Sequence, residues 1–148
     1  MPMEGGPYLQ AGCLCENVIE DKYGVLSLIR IIDTVTRTAA GPNPPEDMPP
    51  FQFETKLVLM FKSGKARGRS SVRIVPEKPT GASLDPVSLT VHFEGEEKGQ
   101  NFVTNMALTL EHEGLYWFNV YLGEEKLTAI PLRVKYNRVV AGAMPAQQ

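Results

Sequence analysis

The side chains that could serve a catalytic centre are few and lie apart in the sequence. Nucleophilic catalysis needs a serine, cysteine or threonine beside a base, most often a histidine, and this chain has only two histidines. His92 occupies a polar position of an alternating segment, and His112 directly precedes a turn. We interpret both as surface residues. No G-x-S-x-G, phosphate-loop or dinucleotide-binding motif is present. The sequence therefore predicts a protein that is not an enzyme and binds no cofactor.

Two cysteines, Cys13 and Cys15, are separated by one residue. On an extended segment both side chains lie on one face, with Cα atoms roughly 6.5–7 Å apart, which is the upper limit for a disulfide. A structural metal site needs about four ligands, and only the two distant histidines could join the thiols. We therefore interpret the cysteines as reduced, buried thiols that pack as small apolar side chains, and we predict no metal site.

Carboxylates cluster in the loops, where calcium sites of β-domains can form. The clustered residues are Glu94, Glu96 and Glu97, and further along the chain Glu111, Glu113, Glu124 and Glu125. They are glutamates without the D-x-D spacing typical of calcium loops. We interpret them as solvated loop residues.

The most basic part of the chain is a predicted turn and the strand that follows it. Its cations fall within twelve residues and are Lys62, Lys65, Arg67, Arg69 and Arg73. The Gly64–Gly68 loop resembles a phosphate loop in composition, but it joins two strands and opens no helix. One interpretation is a solvated hairpin whose edge is protected by charge; the alternative is a contact with nucleic acid or an acidic partner. Nucleic acid is the weaker of these, because the chain has net charge −2 and no aromatic residue interrupts these cations.

The elements that position these side chains are strands, because apolar residues recur with a period of two. The regular segments are Phe51–Phe61, Val87–Phe93, Phe102–Leu110, Tyr116–Leu122 and Ile130–Tyr136, and the less regular ones are Tyr8–Cys15, Val25–Thr36 and Arg69–Val75. Strands at this spacing with turns between them predict an all-β fold, a single antiparallel β-sandwich of about eight strands.

The 148 residues form one domain by length. We expect a flexible N-terminus over residues 1–7, the sandwich over 8–138, and a flexible tail over 139–148. Five of the 12 prolines lie in Ala39–Pro50, which predicts a stiff, extended connection. No apolar run is long enough to span a membrane, and the N-terminus lacks the features of a signal peptide. We therefore expect a cytoplasmic protein.

The last hairpin has a register that burial alone can select. A three-residue loop Gly123–Glu125 pairs Phe118 with Ile130 and keeps the apolar residues on the core face, whereas a four-residue loop would bury Arg133. Pro131 then belongs at an edge or a bulge. The same register gathers a second apolar set on the outer side, consisting of Trp117, Tyr121, Leu127, Ala129 and Pro131. Such a face is either a partner site or is covered by the proline-rich connection.

Two segments carry a resemblance to a known family. Glu113–Leu122 followed by Leu127 and Pro131–Val134 has the form G-x-Y-x-F-x-V, turn, L-x-x-x-P-L-x-V, and Leu14–Val18 with Gly24–Asp33 forms a short strand pair. Together they resemble a family of small bacterial all-β domains of unknown function over about residues 9–136. The resemblance implies an immunoglobulin-like sandwich and supplies no catalytic residues. Gly114-x-Tyr116 also resembles the tyrosine corner of such domains, whose hydroxyl bonds to the backbone upstream.

The functional prediction is a non-enzymatic protein–protein interaction module. Its candidate surface is Trp117, Tyr121, Leu127 and Pro131 on the C-terminal hairpin, and its partner is another protein or a second copy of the chain. The alternative is a structural subunit of a larger bacterial or phage-like assembly. A third hypothesis, a ligand-binding module or enzyme with residues 39–50 as a lid, lacks a set of convergent polar residues.

Overall fold

The computed structural model describes residues 5–96 and 98–140, and every regular element in that part of the chain is a strand. The nine strands are β1 (Tyr8–Glu20), β2 (Leu26–Ile32), β3 (Thr34–Gly41), β4 (Phe51–Lys62), β5 (Arg67–Glu77), β6 (Val87–Glu94), β7 (Gly99–Leu110), β8 (Gly114–Leu122) and β9 (Glu125–Val140). The described residues contain no helix long and apolar enough to cross a membrane.

The strands form two sheets whose inner faces share one core. The first sheet has the order β2-β1-β4-β7 and the second the order β3-β9-β8-β5-β6. Their inward residues alternate with exposed ones, as the period of two requires. The largest fully buried side chains come from both sheets and include Leu14, Leu57, Leu59 and Phe61 from the first and Ile74, Phe93, Tyr116, Phe118 and Leu132 from the second. The all-β prediction is therefore confirmed.

The predicted count of eight strands is wrong by one, because Val25–Thr36 is not a single strand. The chain leaves the first sheet at Ile32 and enters the second at Thr34, with only Asp33 between them. The Asp33 carbonyl accepts a hydrogen bond of 2.8 Å from the Arg133 N–H. β3 then pairs with β9 in the parallel sense. The prediction of wholly antiparallel pairing is therefore wrong for this pair of strands.

The β8–β9 hairpin has the predicted core register. Tyr116 pairs with Leu132 and Phe118 with Ile130. The turn itself is shorter than predicted, since Leu122 pairs with Glu125 across two residues and a bulge takes up the extra one. Pro131 lies on the part of β9 that β3 does not reach, because β3–β9 pairing begins at Arg133. Pro131 thus occupies a local edge, where its missing N–H leaves no gap in a ladder.

Tyr116 forms the predicted contact with the backbone upstream. Its ring is buried, at 1% exposure, and its hydroxyl oxygen accepts hydrogen bonds of 3.2 Å from both the Glu111 and His112 N–H groups. The side chain therefore holds the β7–β8 connection against the core. This confirms the tyrosine-corner interpretation.

The proline-rich connection is anchored on the core side of the end of β9. The Tyr136 hydroxyl donates to the Pro45 carbonyl at 2.6 Å, the Arg138 guanidinium donates to the Pro44 carbonyl at 2.9 Å, and Met48 is buried in the core. Tyr136 and Arg138 alternate in step with the buried Leu132 and Val134, so their side chains lie on the side of β9 opposite to Trp117. These contacts place the connection elsewhere than over the predicted apolar face.

The ends of the domain differ in detail from the prediction. β3 extends to Gly41, so the proline-rich connection is shorter than Ala39–Pro50. β9 ends at Val140, two residues beyond the predicted boundary at 138, because its part from Arg133 to Val140 pairs with β3. Near the N-terminus, the Lys65 N–H donates to the Gly5 carbonyl at 2.6 Å, which ties Gly5 to the β4–β5 turn. Of the segments predicted to be flexible, 1–7 and 139–148, residues 1–4 and 141–148 lie outside the described residues.

The tyrosine corner generates a stability prediction. Replacing Tyr116 with Phe removes an acceptor from two backbone N–H groups, and we expect a loss of about 1–3 kcal/mol in the free energy of unfolding, measured by urea denaturation. Tyr23→Phe is the control, because Tyr23 is 78% exposed. An unfolding free energy for Tyr116→Phe equal to that of the control would contradict the structural role.

Candidate interaction surfaces

Three of the four residues predicted as the candidate surface lie together on the outer face, which we define as the side of the second sheet that points away from the core. Trp117 pairs with Pro131 across β8 and β9. Tyr121 lies two residues beyond the buried Asn119 on the same face of β8. Trp117 and Tyr121 are half-buried, and Pro131 is exposed. The parity of β8 thus places both aromatic side chains on one face, as predicted.

Leu127 is the exception and does not belong to this face. The β8–β9 register shifts between Val120, which pairs with Thr128, and Tyr121, which pairs with Lys126. Leu127 is left between these pairs, and its side chain packs against the core. The prediction assumed regular alternation from Leu127 to Pro131, and the bulge breaks that alternation.

Polar contacts fix the side chains around the two aromatic residues. The Arg73 guanidinium lies over the Tyr121 ring, 4.8 Å from its centroid, which is a cation–π arrangement. The Asn119 amide donates to Oε1 of Glu77 at 3.2 Å and to the Val75 carbonyl at 3.4 Å. The outer face therefore has an ordered polar and aromatic centre, with part of each ring left accessible.

The predicted basic set is divided by the fold. All five cations are exposed. Arg67, Arg69 and Arg73 alternate with the buried Val72 and Ile74 and so project from β5 on the outer face. Lys62 ends β4 in the other sheet, and Lys65 lies in the turn between β4 and β5.

A second surface, which the sequence interpretation missed, is the far part of the β1–β2 hairpin, residues 16–31, hereafter the arm. β1 pairs with β4 only as far as Cys15, and β2 pairs only with β1. Five of the exposed large apolar side chains lie on this hairpin, namely Ile19, Tyr23, Val25, Ile29 and Ile31. The alternation of Val25–Thr36 was irregular because both faces of the arm carry apolar residues, and that irregularity was the available signal.

The arm contains one strained residue. Arg30 has φ 54°, in the left-handed region that a non-glycine residue seldom adopts. Its Nε lies 2.8 Å from the Glu16 carboxylate across the hairpin, and both side chains are more than 60% exposed. An exposed ion pair of this kind contributes little to stability, so it offsets little of the cost of this backbone conformation.

The remaining candidates for chemistry do not converge. Within residues 5–96 and 98–140 there is no group of three or more His, Cys, Asp or Glu side chains placed to hold a metal ion. His92 and His112 are both exposed, on β6 and in the β7–β8 connection. The Lys78 ammonium lies 3.0 Å from Glu111 and lowers the pKa of that carboxyl. Glu97, one of the clustered carboxylates, lies outside the described residues.

The two cysteines are free and lie on the outward side of β1 in the first sheet. Cys15 is fully buried, whereas Cys13 is half-buried rather than buried as predicted. Burial raises the pKa of both thiols; the neighbouring Cys15 raises that of Cys13 further, and Lys56 opposes the rise at Cys15. Both groups therefore stay protonated at neutral pH and are weak nucleophiles.

Comparison with known proteins gives a family and a fold neighbour. A family model described as a family of unknown function, DUF6941, matches residues 10–135. The chain is similar to an immunoglobulin-like protein from Pseudomonas aeruginosa at 15% identity, with 88% of this chain and 97% of that chain covered and a TM-score of 0.42. No curated protein matches the chain. The resemblance to a family of unknown function is thereby confirmed.

The cysteine geometry generates a prediction of reactivity. At pH 7.5 the native protein should react with Ellman's reagent much more slowly than the guanidinium-unfolded chain, because raised pKa values lower the thiolate fraction. The native rate should keep rising with pH above the usual thiol range. Cys13→Ser and Cys15→Ser variants separate the two sites, and Cys15 should be the slower. Rapid modification of native Cys15 would contradict this.

Proposed function

The chain belongs to DUF6941, a family of unknown function, and from its own surface we propose a non-enzymatic module that binds a protein partner through the outer face. The observation that carries the proposal is the placement of Trp117 and Tyr121 on the same face of one strand, on either side of the hydrogen-bonded Asn119. Tryptophan and tyrosine are enriched among the few residues that carry most of the binding energy of protein interfaces. The finer description of the fold as immunoglobulin-like is part of this proposal.

Strand order supports that description of the fold. The order β9-β8-β5-β6 matches the G-F-C-C′ order of a variable-type immunoglobulin sheet, and β1-β4-β7 matches A-B-E of the opposite sheet. The β2 strand is then an insertion between the first strand and β3. On this description the outer face is the broad side of the larger sheet.

The aromatic centre is suited to binding because it is already ordered in the free chain. Arg73 stacks on Tyr121, and Pro131 lies opposite Trp117. An ordered side chain loses less rotamer freedom on binding than a mobile one, a saving of about 0.5–1.5 kcal/mol for each rotamer-rich side chain. Half-buried rings also leave less apolar surface in water than fully exposed ones would, which is compatible with a chain that is stable before it binds.

The outer face generates a binding prediction. We expect the double variant Trp117→Ala with Tyr121→Ala to fold, by circular dichroism, and to bind its partner at least about 30-fold more weakly, as loss of a hot spot does. A photo-crosslinking residue placed at 117 or 121 should capture the partner in cells, and the same residue at position 103 on β7 should not. Equal capture from all three positions, or unchanged affinity of the double variant, would refute the proposed face.

The arm favours a second candidate function, a structural subunit of a larger assembly. A two-stranded ribbon without cover is at best marginally stable alone, yet this one exposes Ile19 by 54% and Ile31 by 64%. Contiguous apolar surface of this kind marks interaction sites. Copies of the chain linked through their arms would bury it.

This candidate predicts concentration-dependent association through the arm. Sedimentation velocity should show species larger than a monomer for the wild-type chain and a monomer for Ile29→Ser with Ile31→Ser. Because both side chains are exposed, the unfolding free energy should change by no more than about 0.5 kcal/mol for each substitution. Val103→Ser is the control, since Val103 is 44% exposed on the other edge of the same sheet. Monomeric wild-type protein at high concentration would exclude the arm as an assembly contact.

A further inference from the structure

We infer that the partner of the outer face presents an acidic protein segment, an inference that rests on the proposed function of that face. The argument depends on the charges around the aromatic centre. The face is defined by strand register, because residues paired across neighbouring strands project to the same side of a sheet.

Cations dominate the strands of the outer face. Those that share the side of Trp117 and Tyr121 are Arg67, Arg69 and Arg73 on β5 and Lys126, Arg133 and Lys135 on β9. All six are exposed. Only two carboxylates lie on the same side of these strands, Glu77 and Glu94, and a third, Glu124, lies in the turn at one end. The chain as a whole has net charge −2, so positive charge is concentrated here.

These cations have no internal use as ion pairs. Within residues 5–96 and 98–140 none of the six forms a salt bridge, and the Glu94 carboxylate lies 3.8 Å from Lys98 instead. The second carboxylate, Glu77, accepts a hydrogen bond from Asn119. Unpaired cations around an apolar centre create a positive potential that attracts carboxylates. Such a potential speeds the encounter with an acidic partner and disfavours a basic one.

An acidic protein segment fits this arrangement better than a nucleic acid does. Single strands stack successive bases on several aromatic rings, whereas Arg73 occupies a face of Tyr121 and leaves Trp117, among the described residues, as the one ring of this face without a stacked cation. A phosphate backbone needs a continuous cationic track, whereas the cations of β5 and β9 are separated by β8, and Glu94 and Glu77 lie at the two ends of the β5 row. A segment that places carboxylates at the rim and an apolar side chain on Trp117 meets both features of the face.

The test uses fluorescence anisotropy with a labelled 12-residue peptide of aspartate and glutamate that contains a central Leu-Phe pair. We expect binding that weakens with salt, and a loss of at least roughly tenfold in affinity for Arg69→Glu with Arg73→Glu, since two attractive contacts become repulsive. The matched control is Lys62→Glu, a cation near in sequence but outside the outer face, which should change the affinity by less than about twofold. Two further labelled probes are measured in the same assay. One is the peptide with serine in place of its acidic residues, which tests the need for negative charge, and the other is an oligothymidine, which tests binding of nucleic acid.

Each contrary outcome overturns the inference. These outcomes are no binding of the acidic peptide, equal weakening by Lys62→Glu, equal binding of the serine peptide, and tighter binding of the oligothymidine, which would assign the face to nucleic acid. The partner captured from position 117 separates this inference from the proposed function. Once that partner has been purified, an affinity that survives Arg69→Glu with Arg73→Glu, but is lost in Trp117→Ala with Tyr121→Ala, overturns the acidic partner and leaves the binding face in place.

Discussion

Burial of alternate side chains on β8 and β9 is the constraint on which the rest of the structure depends. Tyr116 and Phe118 are buried opposite Leu132 and Ile130, and a slip of one residue would exchange the two faces of the hairpin. The same register places Trp117 on the outer face. One register of β8 and β9 therefore determines both the core and the candidate binding surface. This register is favoured because it removes the most apolar area from water.

Much of the fold could be predicted because its determinants are local. Alternation along a strand, the turn residues and the tyrosine that precedes Phe118 are all visible within a few residues of sequence. The passage from one sheet to the other at Asp33 was not, because no glycine or proline interrupts the apolar run around it. The parallel pairing of β3 with β9 joins segments about a hundred residues apart, and single-sequence periodicity carries no information on such pairs.

The candidate site shows the same division between local and distant determinants. Trp117 and Tyr121 were found from parity alone, whereas Leu127 was misplaced because a bulge leaves no distinct mark in the sequence. Arg73 was seen as part of a basic loop, and only the pairing of β5 with β8 brings it onto Tyr121. That contact also weakens one argument that the sequence offered against nucleic acid, namely that no aromatic residue lies among the cations, since Tyr121 does lie among them.

The distribution of charge restricts how copies of this chain can meet. Six of the 15 cations and two of the 17 carboxylates project from their strands onto the outer face, so the rest of the chain has nine cations and fifteen carboxylates. Two outer faces brought together by a two-fold axis would repel each other. An outer face that met the acidic remainder of a second copy would form a heterologous contact, and such contacts generate rings or open filaments rather than closed dimers. Electrostatics thus separates the outer face, which favours a foreign acidic partner or an extended array, from the arm, whose apolar residues place no such restriction on a symmetric pair.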